Sequence, residues 1–211
     1  MSQVFLFGDS ITYGEFDMEQ GGWAERLKKL AFEKQSKGSD WIAVYNLGIP
    51  GEHTNDFLKR FEREFEARKD PEEENIFVFA FGANDAAFLP DKREFQVPLQ
   101  RYERNIKNII EISRSLHGKK IIFLTTIPVL EEVLAKSGRS KERKNEYIEK
   151  YNIALKRVCS DEEIDVLDVH SAYLKNGYGD LFSHDGLHPN SAGYKLIFEM
   201  VRNRLSEESI L

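Results

Sequence analysis

The chain has 211 residues and carries 30 Lys and Arg against 36 Asp and Glu, a formal net charge of -6. That length suits one domain, 1–211, with its own core, and the acidic balance argues against nucleic acid as a partner. No apolar run reaches membrane-spanning length, and one cysteine, Cys159, excludes an internal disulfide or a thiolate metal cluster.

The first apolar run is Val4-Phe5-Leu6-Phe7. No basic leader precedes it, so the cytoplasm is the expected location. Four further runs occupy 41–47, 76–81, 121–124 and 164–169. Short continuous runs rich in β-branched and aromatic residues predict strands buried on both faces. Longer stretches with helical spacing follow each one. Trp23, Leu27, Leu30 and Ala31 form the first stripe, and Phe57, Leu58, Phe61 and Phe65 the second. Ile106, Ile109 and Ile110 mark the third, Tyr151, Leu155 and Val158 the fourth. The fifth carries Ile197, Val201 and Leu205, with Asn190 or Ser191 as its N-cap. Strict alternation of strand and helix predicts an α/β fold. We expect a three-layer α/β/α sandwich with a central parallel five-stranded sheet in flavodoxin-like order. Cys159, beside Leu155 and Val158, reads as a small buried apolar residue. The charge-dense stretches 62–74 and 131–150 read as solvated surface. The second is expected to begin as a loop, 131–139, placed to overhang a site.

Parallel sheets bind ligands outside the carboxyl ends of their strands. Ser10, the segment Asn46 to Gly51, the turn Gly82-Ala83-Asn84-Asp85, and Asp185-Gly186-Leu187-His188 all fall at that edge. Ser10 is a candidate nucleophile, although an N-capping or turn role is the commoner one for a lone serine. His188 is a candidate base with Asp185 to orient it, and Pro189 restricts the backbone of His188. A plain surface turn before a helix is the other reading. The backbone N–H groups of Ser10 and Gly51 and the Asn84 amide are candidate donors to an oxyanion, or else ordinary turn residues. Apolar residues after Asn84 and after the fourth strand either cap the sheet or line an acyl pocket, with Phe88, Pro128 and Val129 as the candidate substrate contacts.

Gly8-Asp9-Ser10-Ile11, Asn46 to Gly51, Gly82-x-Asn84-Asp85 and Asp185-x-x-His188 together resemble the four sequence blocks of the SGNH hydrolases, or GDSL esterases and lipases. The resemblance covers nearly the whole chain, with the blocks in order. It departs at Ile11, where the family has leucine, and at Pro50, where some relatives carry a small polar residue. It implies Ser10 as nucleophile, Asp185 and His188 as the rest of a triad, and Gly51 and Asn84 as oxyanion donors. It also implies ester hydrolysis without metal or cofactor, on a small-molecule ester.

The expected function is a serine esterase for short-chain acyl, aryl or acetyl esters that works through an acyl-enzyme. Two other readings stand beside it. One is a metal-dependent hydrolase built on His170, His184, Asp185 and His188. The other is a non-catalytic carbohydrate- or lipid-binding module on the same fold. His53 and His117 read as helix-end residues, and the oligomeric state is left open.

Overall fold

All seven residues of the first strand, β1 (Ser2–Gly8), are buried, which demands neighbours on both edges and both faces. The computed structural model, which describes residues 1–211, supplies them. A parallel ladder joins β1 to β2 (Ile42–Gly48) on one side and to β3 (Glu74–Ala80) on the other. After β3 come a two-stranded antiparallel hairpin, β4 (Phe88–Leu89) with β5 (Glu94–Phe95), and then β6 (Gly118–Leu124) and β7 (Asp165–Leu167). The main sheet runs β2-β1-β3-β6-β7, all parallel. This is the expected flavodoxin-like order.

Alternation along β1 divides the core in two. Val4 and Leu6 face one layer, with Trp23 and Leu27 of α2 (Gly22–Gln35) and Ile197 and Val201 of α8 (Ser191–Glu207). Phe5 and Phe7 face the other layer. There they meet Phe57 and Phe61 of α3 (Thr54–Glu66), Ile106 of α4 (Leu99–Ser115) and Tyr151 of α6 (Asn145–Asp161). The second layer is strongly aromatic: the Phe7 and Phe57 rings lie 4.9 Å apart, as do those of Phe79 and Phe123. Such pairs add specific geometry to a large apolar burial.

Short elements depart from the sequence expectation. β7 spans three residues, not 164–169, because the Asp168 side chain accepts the Ser171 N–H and starts α7 (Val169–Lys175). Residues 131–139 are not all loop, since α5 (Glu131–Lys136) forms first. The 62–74 stretch behaves as expected: past Glu66 it is solvated and carries exposed pairs such as Lys69–Glu66. Asn190 caps α8 through the Ala192 and Gly193 N–H groups. No helix is long and apolar enough to cross a membrane.

Cys159 is fully buried, and that burial pushes its thiol up to about 12. Ellman's reagent should therefore leave native protein unmodified and react on addition of denaturant; rapid native labelling would contradict the packing. Phe79 is 0% exposed among five other rings, so Phe79→Ala should lower stability by about 3–5 kcal/mol in urea titrations.

Candidate active site

Gly8 ends β1 where a side chain cannot fit. A Cβ there would lie 2.7 Å from the Ala80 carbonyl oxygen and closer still to Thr12. Asp9 follows and caps the short helix α1 (Ser10–Tyr13) by accepting the Ile11 N–H at 2.9 Å. The cap fixes Ser10 as the first helical residue, with its side chain half-buried at the sheet edge. The Ser10 hydroxyl lies 2.7 Å from His188 Nε2, and His188 Nδ1 lies 2.7 Å from Asp185 Oδ2. Serine, imidazole and carboxylate thus form one hydrogen-bonded chain across the fold.

Asp185 is held by every lone pair it presents. Its Oδ1 accepts the Ser183 hydroxyl and the backbone N–H groups of Leu187 and His188. Its Oδ2 accepts the His188 ring and the Arg139 guanidinium, the latter at 2.8 Å. Burial alone would raise its pKa. The bonds from the His188 ring and the His188 and Leu187 N–H groups outweigh that and hold the carboxyl well below the usual carboxylate range. Gly186 has φ +70, and a Cβ there would press on Val133 at 2.8 Å, so the turn needs glycine to seat against α5.

Asn84 sits behind Ser10. Its amide nitrogen donates to Asp9 Oδ2 at 3.2 Å and to the Glu52 carbonyl at 3.0 Å. Its oxygen accepts Arg143 at 3.0 Å, which fixes the orientation of the amide. Desolvation pushes the Asp9 carboxyl up to about 6, against the opposing pull of the Ile11 N–H and the His188 ring. Asp85, the next residue along, is also pushed up to about 6 by burial. It pins the turn to α3 through the Thr54 N–H and hydroxyl. The Gly51 N–H, in a turn with φ +79, donates to no group in the chain, and neither does that of Ser10.

Ser10, Gly51, Asn84 and His188 line one open cleft of about 390 Å³. Glu15, Pro50, Leu187, Arg139, Ser140, Lys141 and Arg143 complete its wall. Sequence reasoning set 131–139, with Arg139, over a site but missed Lys141 and Arg143, because it assigned the charge-dense stretch to solvated surface. Their spacing gave no signal, since Ser140 between Arg139 and Lys141 lines the cleft as well. Phe16 was also missed. It has φ 65, unusual for a bulky residue, and its ring meets His188 edge-on at 5.3 Å.

The expected apolar contacts are corrected. Phe88, Pro128 and Val129 do not line the cleft. Val129 is 1% exposed and packs with Ile148 and Leu187, Phe88 meets Phe95 edge-on and lies tilted against Tyr147, and Pro128 is buried. His53 begins α3, and His117 follows α4 with φ 57. His184 packs on Phe16, and His170 is buried at the start of α7. No group of three or more His, Cys, Asp or Glu side chains is arranged to hold a metal ion, so the proposed ligand set of His170, His184, Asp185 and His188 does not assemble.

A family model, the GDSL-like lipase/acylhydrolase family, matches residues 6–196. The chain belongs to that family. With it, the chain stands among the carboxylic ester hydrolases, and the reading as a non-catalytic module falls. A GDSL esterase/lipase from Arabidopsis thaliana is 32% identical over 99% of this chain and 87% of its own length. An isoamyl acetate-hydrolyzing esterase 1 homolog from Bos taurus is 31% identical over 93% of this chain and 78% of its own. Among solved structures, a lipase/acylhydrolase from Enterococcus faecalis superposes with a TM-score of 0.78 at 25% identity, covering 99% of this chain and 97% of that one. An acetyl xylan esterase from Geobacillus stearothermophilus shares the fold, with a TM-score of 0.74 at 20% identity over 97% of this chain and 94% of its own.

The lowered pKa of Asp185 has a pH signature. A carboxylate depressed in the folded state adds stability above its ordinary pKa of about 3.9, and that stability is lost as pH falls through the lowered folded value. In urea titrations the wild type should exceed Asp185→Asn most clearly at neutral pH, with the gap closing below about pH 4. A gap that stays constant down to strong acid would contradict the assignment.

Proposed function

We propose that the protein hydrolyses small carboxylic esters by two-step acyl transfer, with Ser10 as nucleophile and His188 and Asp185 as the base and its orienting partner. The observation that carries this reading is the unbroken hydrogen-bonded chain from Ser10 through His188 to Asp185, opening onto the cleft. A serine hydroxyl becomes nucleophilic when a neighbouring base takes its proton. His188 Nε2 is within reach of that proton, and ionised Asp185 stabilises the resulting imidazolium. His188 then returns the proton to the leaving alcohol, and water repeats the cycle on the acyl-enzyme.

The tetrahedral intermediate needs donors already in place. The Ser10 and Gly51 N–H groups are uncommitted and supply two. Asn84 supplies the third. Its longer bond, 3.2 Å to Asp9, yields to a full oxyanion charge, while the bonds to Glu52 and from Arg143 keep the amide oriented.

Short acyl groups fit the cleft best. Leu187 is the one hydrophobic residue on its wall apart from proline and glycine, so a long acyl chain would meet polar surface. The relatives named for isoamyl acetate and for acetyl xylan are consistent with a small acyl group.

Ser10→Ala should abolish turnover and fluorophosphonate labelling while leaving the circular dichroism spectrum unchanged. Failure of active, folded wild type to label at Ser10 would overturn the reading. Asn84→Ala should lower kcat about a hundredfold or more with KM less affected, and a wild-type rate would remove Asn84 from the oxyanion site.

A further inference from the structure

The acidic chain places a cationic segment at its cleft. Arg139, Lys141 and Arg143 all line the wall that holds Ser10 and His188. Their charges are balanced unequally. Arg139 is paired with Asp185. Arg143 has no carboxylate partner and bonds only to the Asn84 side-chain oxygen and the Ala83 carbonyl. Lys141 is half-buried and makes no hydrogen bond or ion pair. Both depart downward from their ordinary pKa values, through burial first and then through a neighbouring cation, Arg143 for Lys141 and Arg139 for Arg143. The adjacent Glu142 is taken by Lys144, and Glu15 is the carboxylate that shares the cleft wall. A second hollow, of about 540 Å³, borders the same segment and shares its three cations.

Two half-buried cations without carboxylate partners, beside an activated serine, form a receptor for negative charge. We propose that the preferred substrate is an ester bearing an anionic group, a carboxylate or phosphate, which Lys141 and Arg143 bind while Ser10 attacks the ester carbonyl. This rests on Ser10 as nucleophile. The anion adds no chemical step: the ester bond breaks as before, and the charged group stays on the acyl or the alcohol product. Lys141 supplies three rotatable N–H donors and is free to follow the substrate, whereas Arg143 is fixed by its bond to Asn84. Substrate charge also meets an attractive local field on a protein that is negative overall, which raises the encounter rate at low salt.

The test compares kcat/KM within matched pairs. For the acyl side the pair is para-nitrophenyl valerate and the para-nitrophenyl monoester of glutarate. For the alcohol side it is phenyl acetate and para-acetoxybenzoate. In the wild type at low salt, the anionic member of at least one pair should be favoured by about tenfold, as charge-assisted hydrogen bonds allow. The pair that responds tells which side of the ester carries the charge. Adding salt, to shorten the screening length from about 30 Å to about 10 Å, should shrink the preference. Lys141→Gln should lower the ratio and Lys141→Glu should lower it further; because the change in ratio from wild type is read, the esters' intrinsic reactivities cancel. Glutarate should also inhibit better than valerate, a readout that needs no variant. Hydrolysis of both members of each pair with no anionic preference, or a ratio untouched by salt and by Lys141→Glu, overturns the inference and leaves the esterase reading standing. No turnover of any of these esters by folded protein, with Ser10 unlabelled by fluorophosphonate, overturns both.

Discussion

The burial of β1 on every side is the constraint from which the active-site architecture follows. A strand with seven buried residues must lie inside a sheet, and its two parallel neighbours run in register with it to the end, with Gly8 opposite Gly48 and Ala80. Three chain segments therefore leave the sheet together at one edge. Ser10, Gly51 and Asn84 sit within a few residues of those exits. Gly8 and Gly48 permit the departures to pack tightly, since a Cβ on Gly48 would lie 2.3 Å from the Tyr13 nitrogen. The polar site is in this sense a by-product of an apolar decision taken at residues 4–7.

Three buried aspartates at this edge show how environment, and not residue type, sets charge. Asp9 and Asp85 are both pushed up to about 6, because burial outweighs the few donors they have. Asp185 goes the other way, since five donors surround its two oxygens. The division suits their positions. Asp9 and Asp85 hold backbone and amide groups in place, at Ile11, Asn84 and Thr54. Asp185 Oδ2 lies 2.7 Å from the His188 ring, and there an ionised carboxylate fixes the orientation of the imidazole.

The larger features were legible because they depend on repeated signals. Each sheet strand was marked by a continuous apolar run, and each long helix by a stripe at helical spacing. The chain also carried four ordered motif blocks. The short features had no such redundancy. The β4–β5 hairpin is two residues on each side, α5 is six residues with none buried, and α7 begins where Asp168 happens to cap it. The cleft wall was misread for a different reason. Phe88, Pro128 and Val129 follow site residues in sequence, but Pro128 and Val129 are buried and Phe88, half-buried, packs against Phe95 and Tyr147. Arg139, Lys141 and Arg143 lie in a charge run that composition assigns to solvent, and tertiary packing alone turns them toward Ser10. The Asn84 amide likewise looked free, and its two donors proved to be committed to Asp9 and Glu52.

The contact between Ser10 and His188 joins residues 178 positions apart. Ser10 emerges early in synthesis, just past the strand β1 that has a neighbour on each side, while His188 arrives near the end of the chain, after a three-residue edge strand. The β2-β1-β3 ladder can be complete while the serine still has no base beside it. On the proposed mechanism, reactivity is thus tied to chain completion: a chain that ends before His188 carries a serine hydroxyl without its base. The same tie works in reverse on heating or mild denaturation. On the proposed mechanism, a local opening that parts His188 from Ser10 stops turnover while the inner sheet persists, so loss of activity runs ahead of loss of the fold.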